Sequence, residues 1–139
     1  MSRVLECHAG IGERVEGEAL VASDDFSARY DLDRIKGVFS RPQHALAGVS
    51  YVDKILVLNT AKGGVATAWM LHEMKSRNMA PKAILLNRCN TILAQGAALA
   101  GLAMCDRFCS WRYHSVDIDW SAIDCGPPQC PGNAGLTCS

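Results

Sequence analysis

Residues 54–81 constrain the fold more than any other part of the sequence. The apolar run at 55–58 is long enough for a buried strand and too short for a helix. A tight turn with two glycines and one lysine follows it. From residue 65 to about residue 77, apolar side chains recur at helical spacing. The segment therefore predicts a strand, a glycine loop and a helix in immediate succession.

The glycine loop, residues 60–64, is a candidate anion site. Glycine lets the backbone approach a ligand closely, and the first amide groups of a helix have no partner within it. The helix dipole also favours negative charge there, and Lys62 adds a full positive charge. A plain chain reversal with a solvated lysine fits the pattern equally well. The loop matches neither the Walker motif nor the dinucleotide-binding glycine motif.

The composition is that of one soluble globular domain. The chain has 139 residues, of which 49% are hydrophobic and 20% are charged, and its formal net charge is zero. This balance argues against nucleic acid or an anionic membrane as a partner. The longest apolar region, residues 92–104, is shorter than the roughly 20 residues of a membrane span. With no secretory signal after the first methionine, we expect a cytoplasmic protein.

Seven cysteines are present, and four of them lie at or after Cys109. In a cytoplasmic protein we interpret them as thiols rather than as a disulfide framework. The spacing of Cys125, Cys130 and Cys138 differs from the C-x4-C-x2-C pattern of plant-type ferredoxins. We therefore expect this chain to bind no metal and no cofactor of its own.

The region after the central helix repeats the same architecture. Residues 82–86 predict a second buried strand and residues 102–105 a third, with a helix between them that begins at Asn90 or Thr91 and ends at Gly101. Strands joined by helices should be parallel, with right-handed crossovers. The loops at 60–64 and 87–91 then open at the same edge of the sheet, where α/β proteins bind ligands. Asn90 is a candidate ligand contact at that edge.

The first fifty residues predict short β elements and loops. Residues 4–7 fit an edge strand, and residues 16–22 fit a second strand whose glycine is typical of a bulge. Residues 26–31 are irregular in pattern and contain Arg29, which fits either a carboxylate clamp or a surface ion pair with a nearby aspartate. His44 is predicted to be a loop histidine, because no Ser, Cys or His lies at a spacing typical of a triad or metal pair.

The sequence changes character after Phe108. Residues 116–119 fit a last strand, whereas residues 121–139 show no periodicity and are rich in Gly, Pro and Cys. We therefore divide the chain into a domain of residues 1–108 and a tail of residues 109–139. The tail is expected to be poorly ordered unless a partner covers it.

A series of short motifs resembles the small swivelling subunit of the aconitase X family, a branch of the aconitase superfamily. In order, the motifs are G-E-A-L-V at 17–21, F-S-A-R-Y-D at 26–31, H-A-L-A-G at 44–48, K-I-L-V-L at 54–58, A-P-K-A-I-L at 80–85, and Q-G-A at 95–97 with A-G at 100–101. The similarity covers roughly residues 10–108. No single motif is specific, but their common order argues against chance.

The resemblance implies a fold and an activity. The fold would be an α/β swivelling β/β/α domain, similar to domain 4 of aconitase, with one parallel and one antiparallel sheet. The activity would be that of a hydro-lyase subunit, inactive alone, whose large aconitase-like partner carries an iron–sulfur centre or iron that holds the leaving hydroxyl. Known substrates in the family are cis-3-hydroxy-L-proline, converted to pyrroline-2-carboxylate, and a phosphorylated mevalonate. The Lys-Gly-Gly-Val loop is more similar to the hydroxyproline type.

The resemblance also implies which residues form the site. The substrate carboxylate would bind the backbone of Gly63, Gly64 and Val65, with Lys62 beside it and Arg29 as a second clamp. Eliminating water needs a base near the proton that is removed and cations near the substrate carboxylate.

The sequence departs from the family at the loop and at the tail. Many members carry a loop serine as the expected proton acceptor, but the aligned residues here have no hydroxyl, so the candidate bases are Thr67 and Thr60. The closing pair of short strands that we expect from the family is not evident in residues 121–139. These departures favour one alternative, a non-catalytic module that docks on a partner or binds a small carboxylate. A phosphomevalonate-type subunit is a second alternative within the family.

A third alternative is an independent iron–sulfur protein that uses the tail cysteines, which their spacing disfavours. An apolar face left by a missing subunit would also promote self-association.

Overall fold

A computed structural model describes residues 3–7, 11–12, 15–106, 123–125 and 134–138. Side chains are described within 11–12 and 15–106. In chain order the elements are β1 (Arg3–Cys7), β2 (Val15–Gly17), β3 (Ala19–Val21), α1 (Ala28–Asp31), β4 (Leu32–Asp33), β5 (Val38–Phe39), β6 (Ile55–Thr60), α2 (Val65–Ser76), β7 (Ala83–Arg88), α3 (Thr91–Ala100), β8 (Ala103–Cys105), β9 (Ile123–Cys125) and β10 (Ala134–Cys138).

The central layer is a parallel sheet in the order β3-β6-β7-β8. Leu56 of β6 lies opposite Ile84 of β7, which in turn lies opposite Met104 of β8. Residues 55–58 and 83–86 are fully buried, as expected for parallel strands covered on both faces. The predicted order of strand, helix, strand, helix and strand is confirmed.

The second layer is an antiparallel sheet in the order β1-β10-β9-β2. The prediction of an edge strand near residues 4–7 is confirmed by β1. Two strands of this sheet come from the tail, so the expectation that residues 121–139 lack regular structure is wrong for β9 and β10. β9 and β10 pair antiparallel with each other, as a closing pair of the kind that the family resemblance implies would do. The strand predicted at 116–119 lies outside the described residues, and the boundary at Phe108 stays a prediction.

The strand predicted at 16–22 is divided between the two sheets. β2 pairs with β9 in the antiparallel sheet, and β3 pairs with β6 in the parallel sheet. Between them, Glu18 uses its carbonyl to accept a hydrogen bond from the amide of Ile55, at 2.8 Å. The prediction of one continuous strand at 16–22 is therefore wrong, because the segment pairs with β9 up to Gly17 and with β6 from Ala19 onward.

A small hairpin, formed by β4 and β5, follows β3 and α1 along the chain. The segment at 26–31, expected to be irregular, contains the one-turn helix α1. β4 and β5 then form a two-stranded antiparallel sheet around a turn that ends at Gly37, in line with the short β elements predicted for the first fifty residues. Phe39 of β5 is buried, and its ring is in edge contact with that of Tyr51 at 6.2 Å between centroids.

The core lies between the parallel sheet and the two long helices. The largest fully buried side chains of the described residues include Tyr51, Phe26, Phe39, Ile55, Leu56, Leu58, Leu71, Met74, Ile84, Leu85 and Leu86. Within the described residues, none of the helices has both the length and the apolar composition needed to cross a bilayer.

Candidate functional site

The glycine loop joins the carboxyl end of β6 to the first residue of α2 and is fixed to its neighbours by backbone hydrogen bonds. The amide of Ala61 donates to the carbonyl of Arg88 at 2.8 Å, and the amide of Lys62 donates to the carbonyl of Phe26 at 2.7 Å. Gly64 is the N-cap of α2, and no described side chain caps that helix. The first turn of α2 contains no acidic residue. Its amino end is therefore open to an anion.

Lys62 is held by a carboxylate. Its Nζ lies 2.8 Å from Oδ2 of Asp25, and 62% of the lysine side chain is exposed. The hydrogen bond from Lys62 is the largest cause that lowers the pKa of Asp25 below its ordinary value, and the Lys62 charge and a hydrogen bond from Asn59 act in the same direction. Asn59 Nδ2 donates to Asp25 Oδ1 at 3.0 Å, and Asn87 Nδ2 donates to Asn59 Oδ1 at 3.2 Å. A polar row thus crosses the carboxyl ends of β6 and β7.

Two hydroxyl groups lie directly beneath the loop. Ser27 Oγ and Thr67 Oγ1 are 3.5 Å apart, and the two residues are only 5% and 2% exposed. Gly63 has a φ of +105°, and a Cβ built there would overlap Thr67 Oγ1 and lie 3.3 Å from Ser27 Oγ. Position 63 therefore requires glycine both for its backbone conformation and for the close approach of these hydroxyls.

A buried carboxylate positions Ser27. The amide of Ser27 donates to Asp31 Oδ2 at 2.7 Å, and Arg41 Nε lies 3.1 Å from Asp31 Oδ1. The Asp31 side chain is fully buried, so the arginine supplies the charge that a buried carboxylate needs. One end of α1 is thereby fixed against the loop.

His44 lies in a loop, as predicted, but its side chain is buried. The ring stacks on Phe39 with 4.6 Å between centroids, and Nδ1 accepts a hydrogen bond from the amide of Leu46 at 3.1 Å. Burial is the main cause that lowers the pKa of His44, while the nearby charges of Asp24 and Asp31 raise it. The neutral ring fits this pocket, since an accepting Nδ1 carries no proton.

Two other predicted site residues have structural partners. Asn90 Oδ1 accepts from the amide of Leu93 at 2.7 Å and so caps α3, as predicted, while its Nδ2 donates to the carbonyl of Gly63 at 3.3 Å. The two loops predicted to share one edge are therefore in contact.

Arg29 is exposed and its guanidinium lies 5.4 Å from the ring centre of Tyr30. Within the described part of the chain, no carboxylate lies within ion-pair distance of Arg29, and no hydrogen bond or ion pair joins it to the loop.

Residues 4–123 match the family model described as the aconitase X swivel domain. The chain belongs to the aconitase X swivel-domain family. The family's fold of one parallel and one antiparallel sheet is the fold observed here.

Individual relatives agree with this assignment. The chain is 33% identical to a protein from Thermococcus sibiricus named phosphomevalonate dehydratase small subunit, over 77% of this chain and 82% of the relative. It is 30% identical to a protein of the same name from Methanothrix thermoacetophila, over 77% and 78% of the two chains. The crystal structure of Thermococcus kodakaraensis aconitase X in its holo form superposes with a TM-score of 0.81 over 99% of this chain and 98% of that one. At 22% identity, this last comparison supports the fold alone.

Position 64, where the family resemblance leads us to expect a serine, has room for a side chain. A Cβ built on Gly64 meets no atom within 4 Å, and the φ of this residue is −119°, which any residue can adopt. The structure thus explains why position 63 is glycine but gives no reason for glycine at position 64.

The described residues do not fit an iron–sulfur centre. No group of three His, Cys, Asp or Glu side chains converges as a metal site in the part of the chain that the structure describes. Burial is the main cause that raises the pKa of the Cys89 thiol to about 11, and this protonated thiol donates to the carbonyl of Asn90 at 3.2 Å. A protonated thiol is a poor metal ligand. The side chains of Cys125, Cys130 and Cys138 lie outside the described residues.

Sequence reasoning missed Asp25, Asn59, Ser27 and Asp31. Asn59 lies near the carboxyl end of β6 and Asp25 follows the carboxyl end of β3, so the signal for both is a polar residue near the ligand-binding edge of the sheet. Nothing in the local pattern distinguishes Asp31, whose role depends on the distant Arg41.

Proposed function

We propose that this chain is the small subunit of a two-subunit hydro-lyase that dehydrates a small hydroxy acid, with cis-3-hydroxy-L-proline as the substrate. The observation that carries the proposal is the open amino end of α2 with Lys62 beside it, in a chain of the aconitase X family. Relatives named as dehydratase small subunits support the hydro-lyase class and a large partner. A cytoplasmic location stays a prediction.

The charges at the loop support an amino acid as the substrate. Lys62 and Asp25 form a pair of opposite sign, so the local charge is balanced. A zwitterion matches such a pair, because its carboxylate would approach Lys62 and its ring ammonium would approach Asp25. A phosphorylated substrate carries more negative charge and would need further cations. The names of the relatives favour phosphomevalonate, which is therefore the second candidate.

We assign roles to the loop residues on this basis. The backbone of Gly63, Gly64 and Val65 would bind the substrate carboxylate together with Lys62. A basic group of the assembled active site would remove the Cα proton of the substrate as water leaves and the ring double bond forms. Thr67 is buried together with Ser27, which suits support of the loop better than contact with a substrate.

Two further roles follow for residues at the rim. Asn90 positions the loop through its bond to Gly63, and Arg29 is free to reach a substrate carboxylate that a partner presents. Because the described side chains do not fit an iron–sulfur centre, the large subunit would carry that group.

The test is a dehydratase assay with cis-3-hydroxy-L-proline and with phosphomevalonate. Each substrate is given to this chain alone and to the chain co-expressed with the aconitase X large subunit of the same organism. Conversion of hydroxyproline by the mixture alone is the expected result. Conversion of phosphomevalonate instead would keep the hydro-lyase and overturn the substrate. Binding of either compound by the chain alone, with no complex and no turnover, would favour the carboxylate-binding module.

A further inference from the structure

Helices α2 and α3 form an apolar groove on the surface of the molecule. The groove has a volume of about 240 Å³, and its floor is the contact between Ala68 and Gly96. A Cβ on Gly96 would lie 2.6 Å from the Cβ of Ala68, so the helices approach here as closely as glycine permits. The described residues that line the groove are Val65, Ala68, Trp69, His72, Ile92, Gln95, Gly96 and Leu99.

The walls of the groove are exposed large apolar side chains. Val65 and Trp69 of α2 are 62% and 69% exposed, and Ile92 and Leu99 of α3 are 38% and 75% exposed. The lining positions follow the spacing i, i+3, i+4, i+7 on each helix, so each helix presents one continuous stripe. No Asp, Glu, Lys or Arg is among the described lining residues. Contiguous apolar surface of this kind usually marks an interaction site.

The composition of α3 indicates that its outer face becomes covered. No residue of Thr91–Ala100 is charged, and one side of the helix already packs into the core through Leu93, Gly96 and Ala97. Its polar residues are Thr91 and Gln95 alone, and a helix that is so largely apolar is normally buried on more than one side. Among the described residues, contacts cover one side of α3, and Ile92 and Leu99 are exposed on another.

The groove is continuous with the candidate site. Val65 directly follows the glycine loop, and Ile92 lies in the first turn of α3, next to the Asn90 cap that donates to the carbonyl of Gly63. A partner that completes an active site at this loop must therefore contact the adjacent end of the groove.

We propose that the α2/α3 groove is the docking surface for the large subunit, which inserts an apolar ridge between the two helices. This inference rests on the proposed function, since a small subunit with an unfinished site requires such a partner. Trp69 is the expected anchor, because buried tryptophans contribute disproportionately to binding at interfaces.

The experiment measures the affinity of the purified chain for the large subunit by titration calorimetry. Trp69→Glu and, separately, Leu99→Glu place a charge in the groove at positions that are mostly exposed in the free chain, so the fold should persist, as circular dichroism would verify. Ile35→Glu is the matched control, because Ile35 is 82% exposed and lies outside the groove. Each groove variant should raise Kd at least about 30-fold, and the control should leave it unchanged.

Three results would overturn the docking proposal. Both groove variants could bind as tightly as the unaltered chain. The free chain could instead be a dimer that Trp69→Glu converts to a monomer, which would make a second copy the occupant. If the unaltered chain does not bind the large subunit at all, the proposed function fails together with the docking surface. A complex that depends on the groove but leaves hydroxyproline unconverted would support docking and reject the substrate alone.

Discussion

At the scale of single residues, the ion pair between Lys62 and Asp25 determines the charge of the candidate site. Because Lys62 lowers the pKa of Asp25, this carboxylate is ionised at neutral pH, and the two side chains form an ion pair beside the loop. The contribution of Asp25 to stability is present above its unfolded pKa of about 4 and is lost as the pH falls through its lower folded value. The site should therefore keep its charges throughout the physiological range.

Replacing Lys62 with methionine tests this pair directly. The variant removes the largest cause of the shift, so the pKa of Asp25 should rise towards its ordinary value. Carboxyl-detected NMR titration measures the change. Lys75→Met, at an exposed position of α2, is the control and should leave the Asp25 titration as it is. If Asp25 titrates in the Lys62→Met variant as it does in the unaltered chain, Lys62 does not cause the lowered pKa of Asp25.

His44 predicts an acid-sensitive fold. Its folded pKa is lowered by burial, so the unfolded chain takes up a proton at about pH 6.5 while the folded chain does not. Stability should therefore fall as the pH drops below about 6.5 and level off below the folded pKa. Asp24, Asp31 and Arg41 also face the ring, and their charges partly offset one another.

Urea unfolding of His44→Asn between pH 7.5 and pH 5 measures this effect. The variant should be less stable at neutral pH, because it loses the contact with Phe39, but its stability should change less with pH. His72→Asn, at an exposed position, controls for the loss of a histidine and should keep the slope of the unaltered chain. Equal slopes in the two variants would remove His44 as the source.

At the scale of elements, the shape of the glycine loop depends on the close packing of Gly63 against the hydroxyl groups of Thr67 and Ser27. Gly63→Ala should destabilise the fold by about 1–3 kcal/mol, because alanine is strained at a φ of +105° and its Cβ overlaps Thr67. Gly64→Ala is the matched control and should change stability by less than about 1 kcal/mol, since its Cβ meets no atom. Thermal unfolding compares the two. A Gly63→Ala variant as stable as the control would contradict the described packing.

The elements differ in how well the sequence predicts them. β6, α2, β7 and α3 are predictable because their apolar periodicity and end signals, such as Asn90 and Gly101, are local. The division between β2 and β3 at Glu18 is not, since it depends on which distant strand supplies the pairing. The tail strands β9 and β10 show the same limit, because β1 and β2 determine their pairing.

The candidate site likewise contains some residues that the sequence predicts and others that it does not. Lys62 and the glycines can be found from sequence because strand, loop and helix follow one another. Ser27 meets Thr67 and Asp31 meets Arg41 only through tertiary contacts, so no local pattern reveals either residue.

At the scale of the whole molecule, the groups that lack a covering or capping partner among the described residues lie next to one another. The uncapped end of α2, the exposed Lys62 and the apolar groove of α2 and α3 are continuous through Val65. A polar loop beside an apolar docking face is the arrangement expected of a subunit that completes an active site on another chain. The fold of the aconitase X swivel domain thus accounts for both the candidate site and the surface around it.

The most direct measurement is the dehydration of cis-3-hydroxy-L-proline by the assembled enzyme that carries Lys62→Met, with Lys75→Met as the control. We predict a loss of about a hundredfold or more in kcat/KM for Lys62→Met, with the complex still formed and the control fully active, because a charged contact to the substrate is removed. Full activity of the Lys62→Met enzyme would contradict the central claim that this glycine loop is part of the active site.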